Sequence, residues 1–406
     1  MNYKTFGGLL AVLVLFTGVG AFAFVGVAQG EGENASNRKI VVFKEGVSDS
    51  EKDAVLGALS QNRIKRLTRA LSADVLENAD ASKLGELAKN PKVKRIDNDV
   101  IVYALSRTEE LAKGGSQVGV AAAQVLPWGI DRIDAELVWL TGNSANPIKV
   151  GVIDTGISLS HPDLASNIKG SYNAISTKRS ANDDNGHGSH VAGIVAALNN
   201  TAGVVGGAPQ ADLYAIKALS ASGSGYLSDV IESIDWAIFK KLNVINMSLG
   251  TTADVQSFHD AVIRANNAGI TVVAAAGNSG GAVNYPGAYN EVIGVSATDS
   301  TNTIASWSSR GPEVDLAAPG VSIYSTYKGS GYATLSGTSM ASPHVAAAAA
   351  LLMNRTIRPS EDANTNGKWE PAEIKARLQS TATDLGATGA DPLYGAGLVN
   401  AFAAVQ

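Results

Sequence analysis

Continuous apolar runs alternate with amphipathic stretches over roughly the last two thirds of the chain. The runs are IKVGVID, ADLYAIKAL, NVINMSLG, ITVVAAAG, EVIGVSA and VDLAAPG. Among them lie HGSHVAGIVAAL, LSDVIESIDWAIFKK and DVQSFHDAVIRANNAG, which read as helices. A strand apolar on both faces must be covered on both. The pattern therefore predicts an α/β fold, a parallel sheet sandwiched by helices, beginning near Gln124.

Residues 38–105 have a different pattern, with short charged elements. RKIVVF predicts a strand, SDSEKDAVLGALS a helix opening at a Ser/Asp cap, ASKLGELAKN a second helix, and VKRIDNDVIVYAL closing strands. This is a small α+β domain. SRTEELAKGGSQVGVAAAQ, poor in large apolar residues, reads as a linker. At the start, Lys4 precedes an apolar run that continues to about Ala28. Small residues at Gly26 and Ala28 suit a cleaved export signal over 1–28. The run is also nearly long enough for a retained anchor. Either one places the rest of the chain outside the cytoplasm.

Composition narrows the chemistry. A net charge of −5 gives no basic face for nucleic acid. The absence of cysteine excludes disulfides, thiolate metal sites and a cysteine nucleophile. Stability must then come from the core and from bound metal ions.

Three residues stand where parallel sheets place their chemistry, at strand ends and helix starts. Asp154 closes IKVGVID. His187 lies in the turn DDNGHGSHVAG. Ser339 lies in SGTSMASPHVAAAAALL, at the start of an Ala-rich helix. Singly these also read as a turn aspartate, an incidental histidine and an N-cap serine. His190 adds an HxxH spacing, but no carboxylate follows at a zinc-protease distance. Together they form a set. A serine needs a base to take its proton, and the base needs an acid to orient it.

The order Asp, His, Ser and the local sequences VIDTGISLSHPDL, GHGSHVAG and GTSMASPHVA resemble the subtilisin family from Gln124 to the C-terminus. The resemblance implies a serine endopeptidase with Asp154, His187 and Ser339 as its triad. It implies that Asn278, in VVAAAGNSG, donates to the oxyanion together with the Ser339 N–H. It implies that an extended peptide pairs with Gly223, Ser224 and Gly225 on one side and Ser248, Leu249 and Gly250 on the other. Ala275, Ala276 and Gly277 would wall the S1 pocket, with Asn284 at its base shortening it for medium apolar or aromatic P1 residues.

Residues 38–105 resemble the family's ferredoxin-like propeptide, an inhibitor and folding chaperone cut after Leu105, which leaves 106–406 as a peptidase domain. The mature form is expected to be a monomer acting on proteins and peptides. A catalytically dead binding protein is disfavoured by the complete set of reactive residues. An esterase of the α/β-hydrolase type is disfavoured because no GxSxG surrounds Ser339.

Two calcium loops are expected. The first follows from the resemblance. It uses side chains of Gln124, Asp163 and Asn200 and carbonyls of Leu198, Ala202 and Val204, an all-oxygen shell. The second is read directly from Asp362-x-Asn364-x-Asn366-Gly367 and Glu373, the EF-hand loop spacing. There Lys368 contributes a carbonyl, Glu370 binds directly or through water, and helices stand on both sides. Asp183-Asp184 reads as a solvated loop, with a further cation as the alternative.

Overall fold

The computed structural model describes residues 37–67, 71–106 and 123–406. The export signal or anchor expected over 1–28, and nearly all of the linker expected after Leu105, lie outside the described residues.

The chain runs β1 (Arg38–Phe43), α1 (Asp49–Ala58), β2 (Arg63–Leu67), β3 (Ala73–Glu77), α2 (Ala81–Ala88) and β4 (Val93–Asn98). These strands form an antiparallel sheet of order β2-β3-β1-β4, the ferredoxin-like arrangement. Helix α1 starts where expected, with Ser48 and Glu51 closing a capping box. Alternation along β1 divides its side chains between two faces. Val41 and Phe43 pack on Val55, Leu56 and Leu87 of the two helices. Ile40 and Val42 face the other way, into the core of the larger part of the molecule.

That part contains β5 (Ile101–Ala104), α3 (Trp128–Arg132), α4 (Ala135–Trp139), β6 (Lys149–Asp154), β7 (Ile168–Asn173), α5 (His187–Ala196), β8 (Asp212–Lys217) and β9 (Ser224–Tyr226). It continues with α6 (Leu227–Lys240), β10 (Val244–Met247), β11 (Leu249–Gly250), α7 (Gln256–Asn267), β12 (Thr271–Ala275), β13 (Val292–Thr298) and β14 (Leu316–Pro319). A hairpin β15 (Ile323–Thr326) and β16 (Tyr332–Leu335) precedes α8 (Thr338–Met353), α9 (Pro371–Ser380) and α10 (Ala401–Val405).

Seven strands form one sheet of order β14-β13-β12-β10-β6-β8-β7, and every pair is parallel. One face, with Val150, Val152, Leu213 and Val273, packs on α5 and α8. The other, with Ile153, Ile216, Ile245 and Val272, packs on α6 and α7. The six apolar runs of the sequence are six of these strands. The seventh, β7, is an edge strand with alternating partial exposure, so it shows no continuous run.

The small sheet sits on α6 and α7. Ile40, Val42 and Val75 share a core with Leu227, Val230, Ile231 and Phe258. Burying each such valine or isoleucine is worth roughly 1.5–3 kcal/mol over exposure. Carboxylates from the small unit cap the helix starts. Asp99 accepts from Ser228 N at 2.8 Å and Ser228 Oγ at 2.9 Å, and Ser257 Oγ donates to Asp97. Arg95 reaches Asp260 at 2.7 Å and Lys65 reaches Asp229 at 2.5 Å. Among the described residues, no helix is long and apolar enough to cross a membrane.

Candidate active site

The carboxyl ends of β6, β10 and β12 and the starts of α5 and α8 gather the reactive residues at one edge of the sheet. Asp154 is the last residue of β6, His187 the first of α5 and Ser339 the second of α8. His187 Nδ1 lies 2.8 Å from Asp154 Oδ1 and 2.9 Å from Oδ2. Burial alone would push His187 down, but the adjacent Asp154 carboxylate outweighs it and the imidazole is raised above its ordinary value. Ser339 Oγ donates to the Ser248 carbonyl at 2.9 Å, and among the described residues His187 Nε2 has no hydrogen-bond partner. The acid–base arm is thus assembled, while the serine hydroxyl is turned aside.

The turn carrying His187 is held from beneath by Asp183. It is not solvated as expected but buried, and it accepts from Thr155 Oγ1, Asn185 N, Gly186 N, Ser189 N and Ser189 Oγ. Asp184 pairs with Lys217 at 2.7 Å. The Asp183 oxygens are taken up by these donors, while Asp184 stays half exposed, as expected of a solvated loop. His190 lies inside the core and shares its Nε2 proton between the Ile323 and Ala333 carbonyls, each 3.0 Å away. Burial pushes it down to about 3, so it is a neutral structural donor.

The end of the small unit's chain runs into this edge. VKRIDNDVIVYAL does not stay in the small sheet. Its second half, β5, leaves to lie antiparallel between β9 and β11, as the centre of a three-stranded ribbon. Ala104 N donates to Gly223 O at 2.9 Å, and Leu105 N to Ser248 O at 3.1 Å. Gly223–Gly225 and Ser248–Gly250 therefore both pair with this chain's own residues 101–105.

The next atom along is the Leu105 carbonyl oxygen. Asn278 Nδ2 donates to it at 2.6 Å and Ser339 N at 3.2 Å. Asn278 cannot turn. Its Oδ1 accepts from Thr338 N and Thr338 Oγ1, both at 2.9 Å, which aims the amide nitrogen at the carbonyl. Gly337 leaves the room, since a Cβ there would stand 2.6 Å from Leu105 O and 2.9 Å from Ser106 Cα. The sequence pattern gave no sign of Thr338 and suggested a solvated loop at Asp183, because neither differs locally from a turn residue.

Leu105 is 7% exposed. A Cβ on Gly250 would meet Leu105 Cδ1 at 3.0 Å and Asn284 Cβ at 3.2 Å, so Leu105 and Asn284 close on the same space. A Cβ on Gly277 would lie 3.1 Å from Asn284 Cγ, which puts Asn284 between the two glycine-bearing segments. Ala275 and Ala276 are fully buried in the wall that leads to Gly277.

At the first expected cation loop, Gln124 Nε2 contacts Leu198 O at 2.7 Å, Val204 O at 3.3 Å and Asn200 Oδ1 at 3.4 Å. Asp163 accepts from Asn200 Nδ2 and Val204 N, each at 2.8 Å, and from Tyr332 at 3.2 Å. Ala202 enters through its N–H, to Asn200 Oδ1. Burial raises the Asp163 carboxyl, so a neighbouring cation would relieve it. The donor set is one carboxylate, two carboxamides and carbonyls, and it fits a hard cation.

At the second loop, Asp362 accepts from Asn366 N and Gly367 N, and Asn366 Oδ1 from Lys368 N. Asn364 Oδ1 accepts from Asn366 N. Glu373 Oε1 accepts from Ala363 N at 2.8 Å, and Asn366 Nδ2 reaches Glu370 at 2.8 Å. Gly367 takes the left-handed turn, with φ 75°. The loop thus folds onto its first and last carboxylates. The Ala-rich helix precedes it as expected, but at a distance. Helix α8 stops at Met353, and residues 354–361 intervene, tied by a double Arg355–Glu361 contact at 2.9 Å. The exit helix, α9, follows from within the loop's end.

Comparison with known proteins agrees with this arrangement. The profile described as "Subtilase family" matches residues 145–397. The "Thermostable alkaline protease" of Halalkalibacterium halodurans is 46% identical over 322 residues, covering 79% of this chain and 82% of that protein. The "Alkaline protease" of Alkalihalobacillus alcalophilus is 39% identical over 404 residues, 99% of this chain and all of that protein. "Subtilisin Savinase" of Lederbergia lenta is 47% identical over 285 residues, 70% of this chain and all of that protein. The chain belongs to the subtilase family and is a serine endopeptidase.

Proposed function

We propose that the chain is a secreted precursor that cuts itself between Leu105 and Ser106, using Asp154, His187 and Ser339. In this reading 1–28 is an export signal, 38–105 an inhibitor and folding chaperone, and 106–406 the peptidase. The observation that carries it is the Leu105 carbonyl, held by Asn278 Nδ2 and Ser339 N while β5 fills the groove between β9 and β11. A bond about to be cut and an inhibitor's tail occupy the same place.

The chemistry follows from the geometry. Ser339 Oγ turns from the Ser248 carbonyl toward His187 Nε2 and gives up its proton as it attacks the Leu105 carbonyl carbon. The oxygen gains negative charge where two N–H donors already point, so little reorganisation is needed. Asp154 holds the imidazolium that forms. His187 then passes its proton to the Ser106 nitrogen as that bond breaks. Water, activated by the same imidazole, releases the acyl group from Ser339.

Leu105 in its pocket supports a preference for medium apolar or aromatic P1 residues. A substrate scan favouring Arg or Asp at P1 would refute it. Calcium, held by Gln124, Asp163, Asn200 and the carbonyls of Leu198, Ala202 and Val204, and by Asp362, Asn364, Asn366, Lys368 and Glu373, would pin two surface loops; its role is structural.

Full-length Ser339→Ala protein should accumulate as uncut precursor, and wild type should yield a new terminus at Ser106 by mass spectrometry. Normal processing of Ser339→Ala would show that another protease makes the cut.

A further inference from the structure

Helix α8 contains Pro343. Proline has no N–H, and the carbonyl it deprives of a helical donor is that of the residue four positions earlier. That residue is Ser339. The missing donor comes from outside the helix, because Ser248 Oγ donates to the Ser339 carbonyl at 2.8 Å.

The direction of every further bond is then forced. Ser248 has used its one proton, so its oxygen accepts from Asn246 Nδ2 at 2.9 Å. The other end of that carboxamide, Oδ1, accepts from Ser342 Oγ at 2.6 Å. Ser339, Ser342, Asn246 and Ser248 are all at 0% exposure. The chain of bonds starts and ends in the first turn of α8 and passes through the end of β10. Ser248 is also the residue whose backbone carbonyl accepts from Leu105 N and from Ser339 Oγ. One buried relay thus joins the strand that holds the substrate to the turn that holds the nucleophile.

We propose that the side chains of Asn246, Ser248 and Ser342 form a positioning relay, which supplies the donor that Pro343 cannot and so fixes the backbone of Ser339, holding its N–H on the scissile carbonyl and setting the point from which its Oγ swings to attack. Among the described residues, none of these three side chains hydrogen-bonds to residues 101–106. The relay rests on the assignment of Ser339 as nucleophile made above.

The test uses full-length protein carrying Ser248→Ala, Ser342→Ala, or Ser248→Ala with Pro343→Ala. Three readouts are taken per processed molecule: kcat and KM on a peptide with Leu before the cut, the rate of labelling by a fluorophosphonate, and melting. Ser248→Ala should lower kcat and labelling on the order of 10- to 100-fold, the effect of a small misplacement, with KM within about threefold. Ser342→Ala should act in the same direction and less. Adding Pro343→Ala should recover part of the loss, because a backbone N–H again faces the Ser339 carbonyl. Lower melting with unchanged kcat and labelling would overturn the relay, as would a double variant no better than Ser248→Ala. A wild type that fails to label would instead overturn the assignment of Ser339 itself.

Discussion

Replacing Asn278 by Ala removes one of the two donors to the Leu105 carbonyl and leaves the groove intact. The donor lost is the shorter, at 2.6 Å against 3.2 Å for Ser339 N, and it is held rigid by Thr338. Its bond strengthens as the carbonyl oxygen becomes an oxyanion, so its loss falls on the transition state. Removal of such an asparagine in subtilisin itself costs about 2.7–4 kcal/mol, and that magnitude is carried over here: kcat should fall about 10²–10³-fold. Ground-state binding rests on the strand pairing through Gly223–Gly225 and Ser248–Gly250, which the substitution does not touch. KM should therefore stay within about threefold. Asn278→Asp should be at least as damaging, since it presents a carboxylate oxygen to the growing negative charge. The assay is steady-state hydrolysis of a peptide with Leu at P1, with precursor processing followed in parallel. An Asn278→Ala enzyme with kcat within about tenfold of wild type would refute this account.

The pH profile should show an acid limb with an apparent pKa above about 6.5, the ordinary histidine value, because Asp154 raises His187 and the base works only when neutral. Activity is lost as pH falls through that value. The stability linkage runs the other way: the Asp154–His187 contact stabilises the fold fully below the unfolded histidine's pKa and is lost as pH rises through the raised one. Asp154→Asn should shift the limb down, and a limb that does not move would refute the coupling. Chelation should lower the melting temperature of wild type more than that of Glu373→Gln, since a ligand bound only to the native state stabilises by about 2.7 kcal/mol at 100 times its Kd. Equal calcium-dependent shifts in the two proteins would remove the Asp362–Glu373 loop from the metal sites.

Much of this was legible along the chain. Six strands of the main sheet showed themselves because burial on both faces demands apolar residues at successive positions, as in Val150–Ile153. Helices α1, α2, α6 and α7 showed themselves through capping and periodicity. The proposed nucleophile, base and acid were legible only as a set, because Ser339, His187 and Asp154 each alone have the sequence of an ordinary turn or cap. Strand β7 was hidden by its edge position, and the length of the segment between Met353 and Asp362 is set by where α8 ends.

What the sequence by itself determined were the elements and the kinds of chemistry available, since both follow from local pattern and residue type. The tertiary structure alone decided where the chain's own Leu105 carbonyl goes, which way Asn278 faces, and what replaces the N–H that Pro343 lacks. Those outcomes depend on hydrogen bonds between residues far apart in the chain, such as Ser248 with Ser339 and Asn278 with Leu105. A donor's partner across such distances is fixed only when packing brings the two together and excludes the water that would otherwise satisfy both.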